Sequence, residues 1–248
     1  ELLKNDYQNK FILQGIIIQS PLGKKSIKKL IPQMLNFYGF LNFLLLGVKF
    51  TIYKLLNFLA VNIFNGKFPG TFSVEHILRK NSLKIISIKD INSKESLEFL
   101  RTMNIDIIFS IAASQIFRIG VLDIPKIGCF NIHTSKLPQN RGMMPNFWSL
   151  YNYDKDPVSA ITIHRMNESL DDGDILLQEE FHLDPKESLD SLIKRTKIMS
   201  TKLFLKAVDL ISNNKQNLIK NDSAKATYNS FPTKEDVKRF KEKGLKIR

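Results

Sequence analysis

The chain has 248 residues, 43% of them apolar and 25% charged, a composition typical of a globular protein with a substantial core. Its formal net charge of +13 suits phosphate, polyglutamate, nucleic acid or anionic lipid equally and does not choose among them. The single cysteine, Cys129, excludes an internal disulfide and a cysteine-rich zinc site, and it fits a reducing compartment such as the cytoplasm. Since Cys129 lies in an apolar run, we expect a buried side chain and not a nucleophile.

The first predicted elements are a strand and a helical insertion. Apolar, β-branched residues at 11–18 predict a buried strand that ends before Pro21. The next region is helical, and its run from Leu30 to Val48 has no charge and is long enough to raise the question of a membrane span. Polar residues and Pro32 inside the run favour an insertion, residues 24–67, that packs on the core. Peripheral contact of residues 30–64 with a membrane or a partner is the alternative.

Strands and helices then alternate. Ser73 and Ser93 are predicted to cap short helices, and apolar runs of strand length follow at 83–88, 106–111 and 127–133. Strands about 20 residues apart with helical patterns between them are typical of βαβ units. We therefore predict an α/β fold with an open, mostly parallel, Rossmann-like sheet flanked by helices.

The second half extends this sheet. Residues 160–166 and 175–181 predict two strands joined by a polar loop, and a helical stripe of apolar residues begins near Lys186. From Asn213 polar residues dominate, so we expect one main domain, residues 1–212, followed by a short basic C-terminal extension, residues 213–248, that forms a peripheral tail.

Two short motifs stand out against this pattern. Residues 131–138 read Asn-Ile-His-Thr-Ser-Lys-Leu-Pro, followed by Arg-Gly at 141–142, and residues 170–173 read Leu-Asp-Asp-Gly. The first motif leaves the carboxyl end of a predicted strand, which is where ligands bind in open parallel sheets. Because side chains alternate along a strand, Asn131 and His133 can converge on one substrate atom.

These motifs, in this order and spacing, resemble those of the folate-dependent formyltransferases over about Leu83 to Ile211. The resemblance implies 10-formyltetrahydrofolate as co-substrate, no metal, and a catalytic centre of Asn131, His133 and Asp171. Asn131 would bind the developing oxyanion, and His133, titrating near neutrality, would stabilise it or move a proton. Asp171 would orient the histidine and relay a proton through water, and burial beside the folate would raise its pKa.

The resemblance also suggests a folate pocket. Residues 110–117 align with the loop that wraps the pterin, and the loop before Asp171 would close the other side. Each pocket side chain could equally belong to the core. The predicted folate-binding residues are Ser114, Gln115, Ile116, Phe117, Leu122, Asn167 and Leu170.

Other interpretations of single residues carry less weight. Ser135 lacks the surrounding glycines of a hydrolase nucleophile, so we expect a structural hydroxyl. A metal triad of His133, His164 and His182 has no known ligand spacing.

The acceptor is expected to be a small amine, in particular an amino sugar linked to a nucleotide. Only about 35 residues follow the long helix, which makes tRNA the less favoured acceptor. A hydrolase that releases formate and a non-catalytic folate-binding or membrane-associated scaffold are the remaining alternatives. The strand that opens the fold in the family has no counterpart before the run at 11–18, so we expect either a fragment or an altered place for that run. The oligomeric state is left open.

Overall fold

The computed structural model describes residues 11–19, 27–64 and 67–248. They form two compact units, a smaller one of Leu13–Asp90 and a larger one that contains Ile91–Arg248. We describe each unit by itself.

The smaller unit is mainly helical. Helix α1 (Ile27–Tyr38) is followed by Gly39, whose φ of +77° lets the chain turn directly into α2 (Phe40–Phe58). A π-helical turn, Leu59–Ile63, extends α2. Helix α3 (Val74–Lys80) begins at Ser73, whose hydroxyl accepts from the amide of His76 as the capping pattern predicted.

Two short strands complete this unit. Strand β1 (Ile16–Ile17) pairs in parallel with β2 (Ile85–Ile86). The strand predicted at 11–18 is thus only two residues long, and the one predicted at 83–88 is equally short. Apolar content marked their positions but did not determine how far the pairing extends.

Helix α2 of the insertion is exposed along its length. None of the 19 side chains of α2 is buried. Among the described residues, Phe40–Ile63 is the one helical stretch that is long and apolar enough, by length and composition, to cross a membrane. Periodicity and hydropathy cannot distinguish a buried apolar helix from an exposed one, so packing of the insertion on the core stays a prediction.

The larger unit alternates strands and helices. Helix α4 is capped by Ser93, as predicted, and the later strands begin within three residues of their predicted starts. The elements are α4 (Lys94–Thr102), β3 (Ile107–Ile111), α5 (Ile119–Leu122), β4 (Gly128–His133), β5 (Arg141–Gly142), α6 (Pro145–Tyr151), β6 (Val158–Arg165), β7 (Ile175–His182), α7 (Leu189–Ser212), a 3₁₀ turn (Ser223–Lys225), β8 (Tyr228–Asn229) and α8 (Lys234–Glu242).

The central sheet has the order β3-β4-β6-β7. Strands β3 and β4 are parallel, whereas β6 and β7 continue the sheet antiparallel. The small β1-β2 and β5-β8 pairs are parallel as well. The predicted α/β class with a Rossmann-like sheet is confirmed, and the strands after Pro145 extend it as expected.

The core of this unit lies between the sheet and α7. Residues from β4, β6 and β7 meet one face of the helix, because α7 carries its apolar side chains in a single stripe. The buried cluster consists of Phe130, Ile132, Ile161, Ile163, Leu176, Leu203, Ala207 and Ile211. This packing fixes the strands whose ends carry the motifs.

The C-terminal extension is not a peripheral tail. Val237 and Phe240 of α8 are buried, as are Leu245 and Ile247 after it. The Phe240 ring stacks on Phe147 of α6 with centroids 4.6 Å apart. The high lysine content suggested exposure, but the apolar residues lie on one face of a short helix, and that face packs against the domain.

Candidate active site

Two polar side chains leave the carboxyl end of β4 on one face of the sheet. Asn131 and His133 alternate with Ile132, which belongs to the core cluster. β4 pairs there with β6, and Asn131 lies opposite His164. The Asn131 amide nitrogen is 3.3 Å from His164 Nε2. The sheet register therefore adds a second imidazole to the predicted pair.

Asp171 joins these side chains from the loop between β6 and β7. Its Oδ2 accepts from the amide of Gly142 at 2.9 Å and lies 3.6 Å from His133 Nδ1. Its Oδ1 is 3.4 Å from both Asn131 Nδ2 and His164 Nε2. The Asp171 side chain is only 7% exposed. The structure thus brings the three predicted catalytic side chains together around one buried carboxylate.

Backbone carbonyl groups set the tautomers of both histidines. His133 Nε2 lies 2.9 Å from the carbonyl oxygen of Asn140. His164 Nδ1 lies 2.9 Å from the carbonyl oxygen of Arg165. Because a carbonyl oxygen only accepts, these two nitrogens carry hydrogens, and in each neutral ring the other nitrogen faces Asp171. A proton added to either ring would lie between imidazole and carboxylate, so the cluster can hold a mobile proton.

Burial and charge determine the protonation of this cluster. Burial lowers the pKa of His133 below its usual 6.5, against the opposing effects of the Asp171 carboxylate and the Asn140 carbonyl. Burial would raise the pKa of Asp171, but the hydrogen bond from His164 and the charge of His133, which these rings supply when protonated, together with the Gly142 amide, lower it to about 2. The raised pKa of Asp171 was expected for burial beside folate and stays a prediction; in the chain alone its pKa is lowered, and that of His133 lies below 6.5. At neutral pH the centre pairs a carboxylate with a neutral His133.

Arg141, fully buried, connects the two motif loops to the C-terminal extension. Its Nη1 donates to the Asp172 carboxylate and, at 2.8 Å, to the Tyr228 hydroxyl. Its Nη2 donates to Asn221 Oδ1 at 3.0 Å and to Ser223 Oγ at 3.4 Å. A buried charge needs such partners, since unpaired it would be strongly destabilising. The second aspartate of the Leu-Asp-Asp-Gly loop is thus engaged with an arginine, whereas the first faces the two histidines.

Asn221 holds the backbone of the Asp171 loop. Its side-chain amide donates to the carbonyl oxygens of Asp171, at 3.0 Å, and Gly173, at 3.1 Å. A Cβ atom on Gly173 would collide with the carbonyl oxygen of Arg165, which explains the glycine of this motif. The residue that sequence reasoning missed here, Asn221, lies in the extension that was expected to be peripheral.

Comparison with known proteins identifies the family. The formyl transferase family matches residues 73–208, more than half of the chain. The chain belongs to the formyl transferase family. The methionyl-tRNA formyltransferase of Thermotoga neapolitana is 37% identical over 164 residues, which are 66% of this chain and 52% of that protein. That of Ehrlichia canis is 34% identical over 140 residues, 56% of this chain and 46% of that protein. The chain spans about half the length of these curated relatives.

Solved structures of formyltransferases share the fold. The formyltransferase PseJ from Anoxybacillus kamchatkensis, in complex with UDP-4,6-dideoxy-4-formamido-L-AltNAc and tetrahydrofolate, superposes with a TM-score of 0.51 and 26% identity. The match covers 65% of this chain and 82% of PseJ. A 4-N formyltransferase from Francisella tularensis gives a TM-score of 0.53 at 24% identity, covering 87% and 76% of the two chains, and so supports the fold alone.

The predicted folate-binding residues divide into exposed and more buried side chains. Ile116 and Leu170 are 68% and 48% exposed, and Ser114 and Asn167 are exposed too. Phe117, in contrast, is buried. Its position fits the alternative that this side chain belongs to the core. Leu122 is half-buried, and Gln115 accepts through Oε1 from the amide of Ile91 at 2.9 Å. These two side chains contribute to the structure of the loop.

Two predictions for single residues are confirmed. Ser135 is fully buried, with its hydroxyl 3.2 Å from that of Ser149, so it is structural. Cys129 is buried, and burial raises the pKa of its thiol to about 12.

A cleft of about 370 Å³ opens on the far side of Asp172. Its lining is polar and includes Asn167, Lys220 and Ser223 but neither His133 nor Asp171. The predicted catalytic residues therefore do not line this cleft.

Within residues 11–19, 27–64 and 67–248, no three histidine, cysteine, aspartate or glutamate side chains are placed to hold a metal ion.

Proposed function

We propose that this chain transfers the formyl group of 10-formyltetrahydrofolate to a small amine, an amino sugar linked to a nucleotide. The observation that carries the proposal is the cluster of the half-buried Asn131 with the buried His133 and Asp171 at the carboxyl end of β4. Membership of the formyl transferase family supports it. The lone buried cysteine suits the proposed cytoplasmic location.

The proposed reaction needs a base for the attacking amine. The amine nitrogen forms a bond to the formyl carbon, the carbonyl oxygen becomes an oxyanion, and the nitrogen becomes positive. Asp171, ionised because its pKa is about 2, attracts that positive nitrogen and accepts its proton through water and a histidine. The bond from the formyl carbon to folate N10 then breaks, and N10 takes up the proton. The products are the N-formylated acceptor and tetrahydrofolate.

Asn131 is proposed to bind the oxyanion. Its amide nitrogen donates to His164 at 3.3 Å and to Asp171 at 3.4 Å, both near the outer limit of hydrogen bonding. Turning the amide toward a substrate oxygen therefore sacrifices little. One such donor contributes about 3 kcal/mol to lowering the barrier.

The folate is proposed to bind beside the end of β3. Ile111, Ile116 and Leu170 are large apolar side chains that are half to two-thirds exposed. Apolar side chains alongside exposed backbone groups suit a flat heterocycle such as a pterin, so these residues fit the co-substrate. Ser114 and Asn167 would add polar contacts, and Leu122 the edge of the pocket.

Two groups of relatives favour different acceptors. PseJ is described in complex with a formamido sugar linked to UDP, which supports the amino-sugar acceptor. The curated relatives cited above are methionyl-tRNA formyltransferases, which supports charged initiator tRNA as the second candidate. The +13 charge suits either phosphate-bearing acceptor.

The test is a screen of acceptors with 10-formyltetrahydrofolate. Nucleotide-linked amino sugars, glycinamide ribonucleotide and charged initiator tRNA are each incubated with the chain, and the formylated product is identified by mass spectrometry. His133→Ala should reduce turnover by about 10² to 10⁴-fold, the usual contribution of a general acid or base. His182→Ala, at the exposed end of β7, is the matched control.

The alternatives predict different products. Formate released without any amine would indicate a hydrolase, and formyl-methionyl-tRNA would indicate the second candidate. Folate binding without turnover of any acceptor, or equal turnover by His133→Ala, would refute the proposed catalytic centre.

A further inference from the structure

Helix α2 carries a continuous apolar stripe on its exposed side. Five residues separated by four, three, four and three positions lie on one helical face, and each is more than half exposed. They are Leu41, Leu45, Val48, Ile52 and Leu55. At 1.5 Å per residue the stripe is about 21 Å long. Soluble proteins rarely leave so long a row of large apolar side chains exposed, and such rows mark interaction surfaces.

The sequence segment that contains this stripe is basic and has no acidic residue. From Tyr7 to Val74 the sequence contains no aspartate or glutamate and eight lysines. Two of them, Lys49 and Lys54, lie on α2 outside the stripe and are exposed. The ammonium group of Lys49 lies 5.7 Å from the centroid of the Tyr53 ring, itself exposed. Exposed apolar side chains with lysine and aromatic side chains nearby suit contact with an anionic lipid surface.

We propose that the exposed face of α2 lies on an anionic lipid surface. The charge distribution favours this occupant over a second copy of the chain. Two copies that met along the stripe would bring together two α2 helices that each carry Lys49 and Lys54 and no acidic side chain. Anionic headgroups supply the missing negative charge, and the lipid chains cover the apolar stripe.

The helix lies in the membrane plane and does not span the bilayer. A spanning orientation would carry Lys49, ten positions into the stretch Phe40–Ile63, toward the hydrocarbon centre, where an ammonium group is costly.

Co-sedimentation with vesicles tests this proposal on the whole chain. Phosphatidylcholine vesicles are compared with vesicles that also contain phosphatidylglycerol, and the bound fraction is measured at low and high salt. We expect about tenfold stronger partitioning to the anionic vesicles, weakened by salt. The double variant Leu45→Glu/Ile52→Glu should lose this binding about tenfold or more. Ile198→Glu, which changes a 64% exposed isoleucine of α7, should not.

Two further variants test separately the contribution of lysine charge to binding and the entry of the stripe into the lipid. Lys49→Glu should weaken binding to anionic vesicles more than Lys202→Glu, an exposed lysine of α7. Ile52→Trp keeps an apolar side chain on the stripe, and its fluorescence should shift to shorter wavelength with anionic vesicles. This measurement applies even if the double glutamate variant fails to fold.

Three results would overturn the proposal. Wild-type chain that stays in the supernatant with anionic vesicles is one, and binding that the stripe variants leave unchanged is another. A lipid-free dimer, seen by analytical ultracentrifugation and dissociated by Ile52→Glu, would show that a second copy covers the stripe. None of these readouts depends on formyl transfer, so the proposed function stands or fails separately.

Discussion

Most proteins bury apolar side chains and expose polar ones. The cluster around Asp171 and the stripe on α2 are two opposite exceptions to this rule. In the cluster, the ionisable groups are buried and the Asn131 amide is half-buried, and each has a partner within 3.6 Å. On α2, large apolar side chains are exposed along a whole helical face. Both arrangements reduce stability unless something compensates. In the cluster, hydrogen bonds within the chain compensate for burial. For the helix, we propose that a lipid surface outside the chain compensates for exposure.

The largest effect is expected from a substitution in the cluster around Asp171. Asp171→Asn keeps the shape of the side chain but removes the charge that faces both histidines. Turnover in the formyl-transfer assay should fall by about 10² to 10⁴-fold, because an amide cannot accept the amine proton. Asp123→Asn, at an exposed carboxylate, should leave turnover unchanged. Full activity of Asp171→Asn would mean that the cluster is structural only.

The second prediction concerns the hydrogen bonds that Asn221 makes to the Asp171 loop and to Arg141. Asn221→Ala removes the donors to the carbonyl oxygens of Asp171 and Gly173 and one acceptor from Arg141. Leaving such buried groups without partners should lower the free energy of unfolding, measured in urea, by about 1 to 3 kcal/mol.

The control for this variant is Asn213→Ala, whose amide makes one exposed hydrogen bond to Asp209. Its stability should change much less. Equal stability of the two variants would contradict the role of Asn221 in holding the catalytic loop.

The third prediction is the titration of His133, followed by the NMR signal of its ring Cε1–H. Burial lowers its pKa, so the midpoint should lie below 6.5. In Asp171→Asn the midpoint should fall further, because the carboxylate raises the pKa of His133. A midpoint above 6.5 would contradict the buried geometry.

Protonation of His133 also affects stability. The unfolded chain binds the proton near pH 6.5 while the folded chain does not, so the free energy of unfolding should decrease as pH falls below 6.5. Asp171 acts at lower pH. Its contribution is present above 3.8 and should be lost as pH falls toward about 2.

The smallest expected effect concerns Cys129. With its thiol buried and the pKa raised to about 12, it should not react with a thiol reagent at pH 8 in the native chain. In urea it should react with one equivalent. Rapid labelling of the native chain would show that β4 opens more readily than its burial indicates.

Much of the fold and part of the site were predictable from the sequence. Asn131 and His133 stand in an apolar strand, and alternation alone places them on one face. The helix caps at Ser73 and Ser93 were equally readable, because a cap depends on residues three positions apart.

Features that depend on distant segments were not predictable. His164 becomes part of the site only through the register of β4 and β6, although its place in an apolar strand, seven residues before Asp171, was a signal. The low pKa of Asp171 depends on partners from three other segments. The exposure of α2 was missed because nothing in its composition shows whether protein covers it.

Asn221 follows Asp171 by 50 residues. A ribosome makes the chain from its amino end, so both motifs are synthesised before Asn221 and Tyr228 exist to hold them. Until that last segment arrives, the Arg141 guanidinium lacks most of its acceptors and the loop carbonyls lack their donor. The contacts that hold the Asp171 loop therefore form late in translation, and a ribosome stalled after α7 would carry a largely built sheet without them.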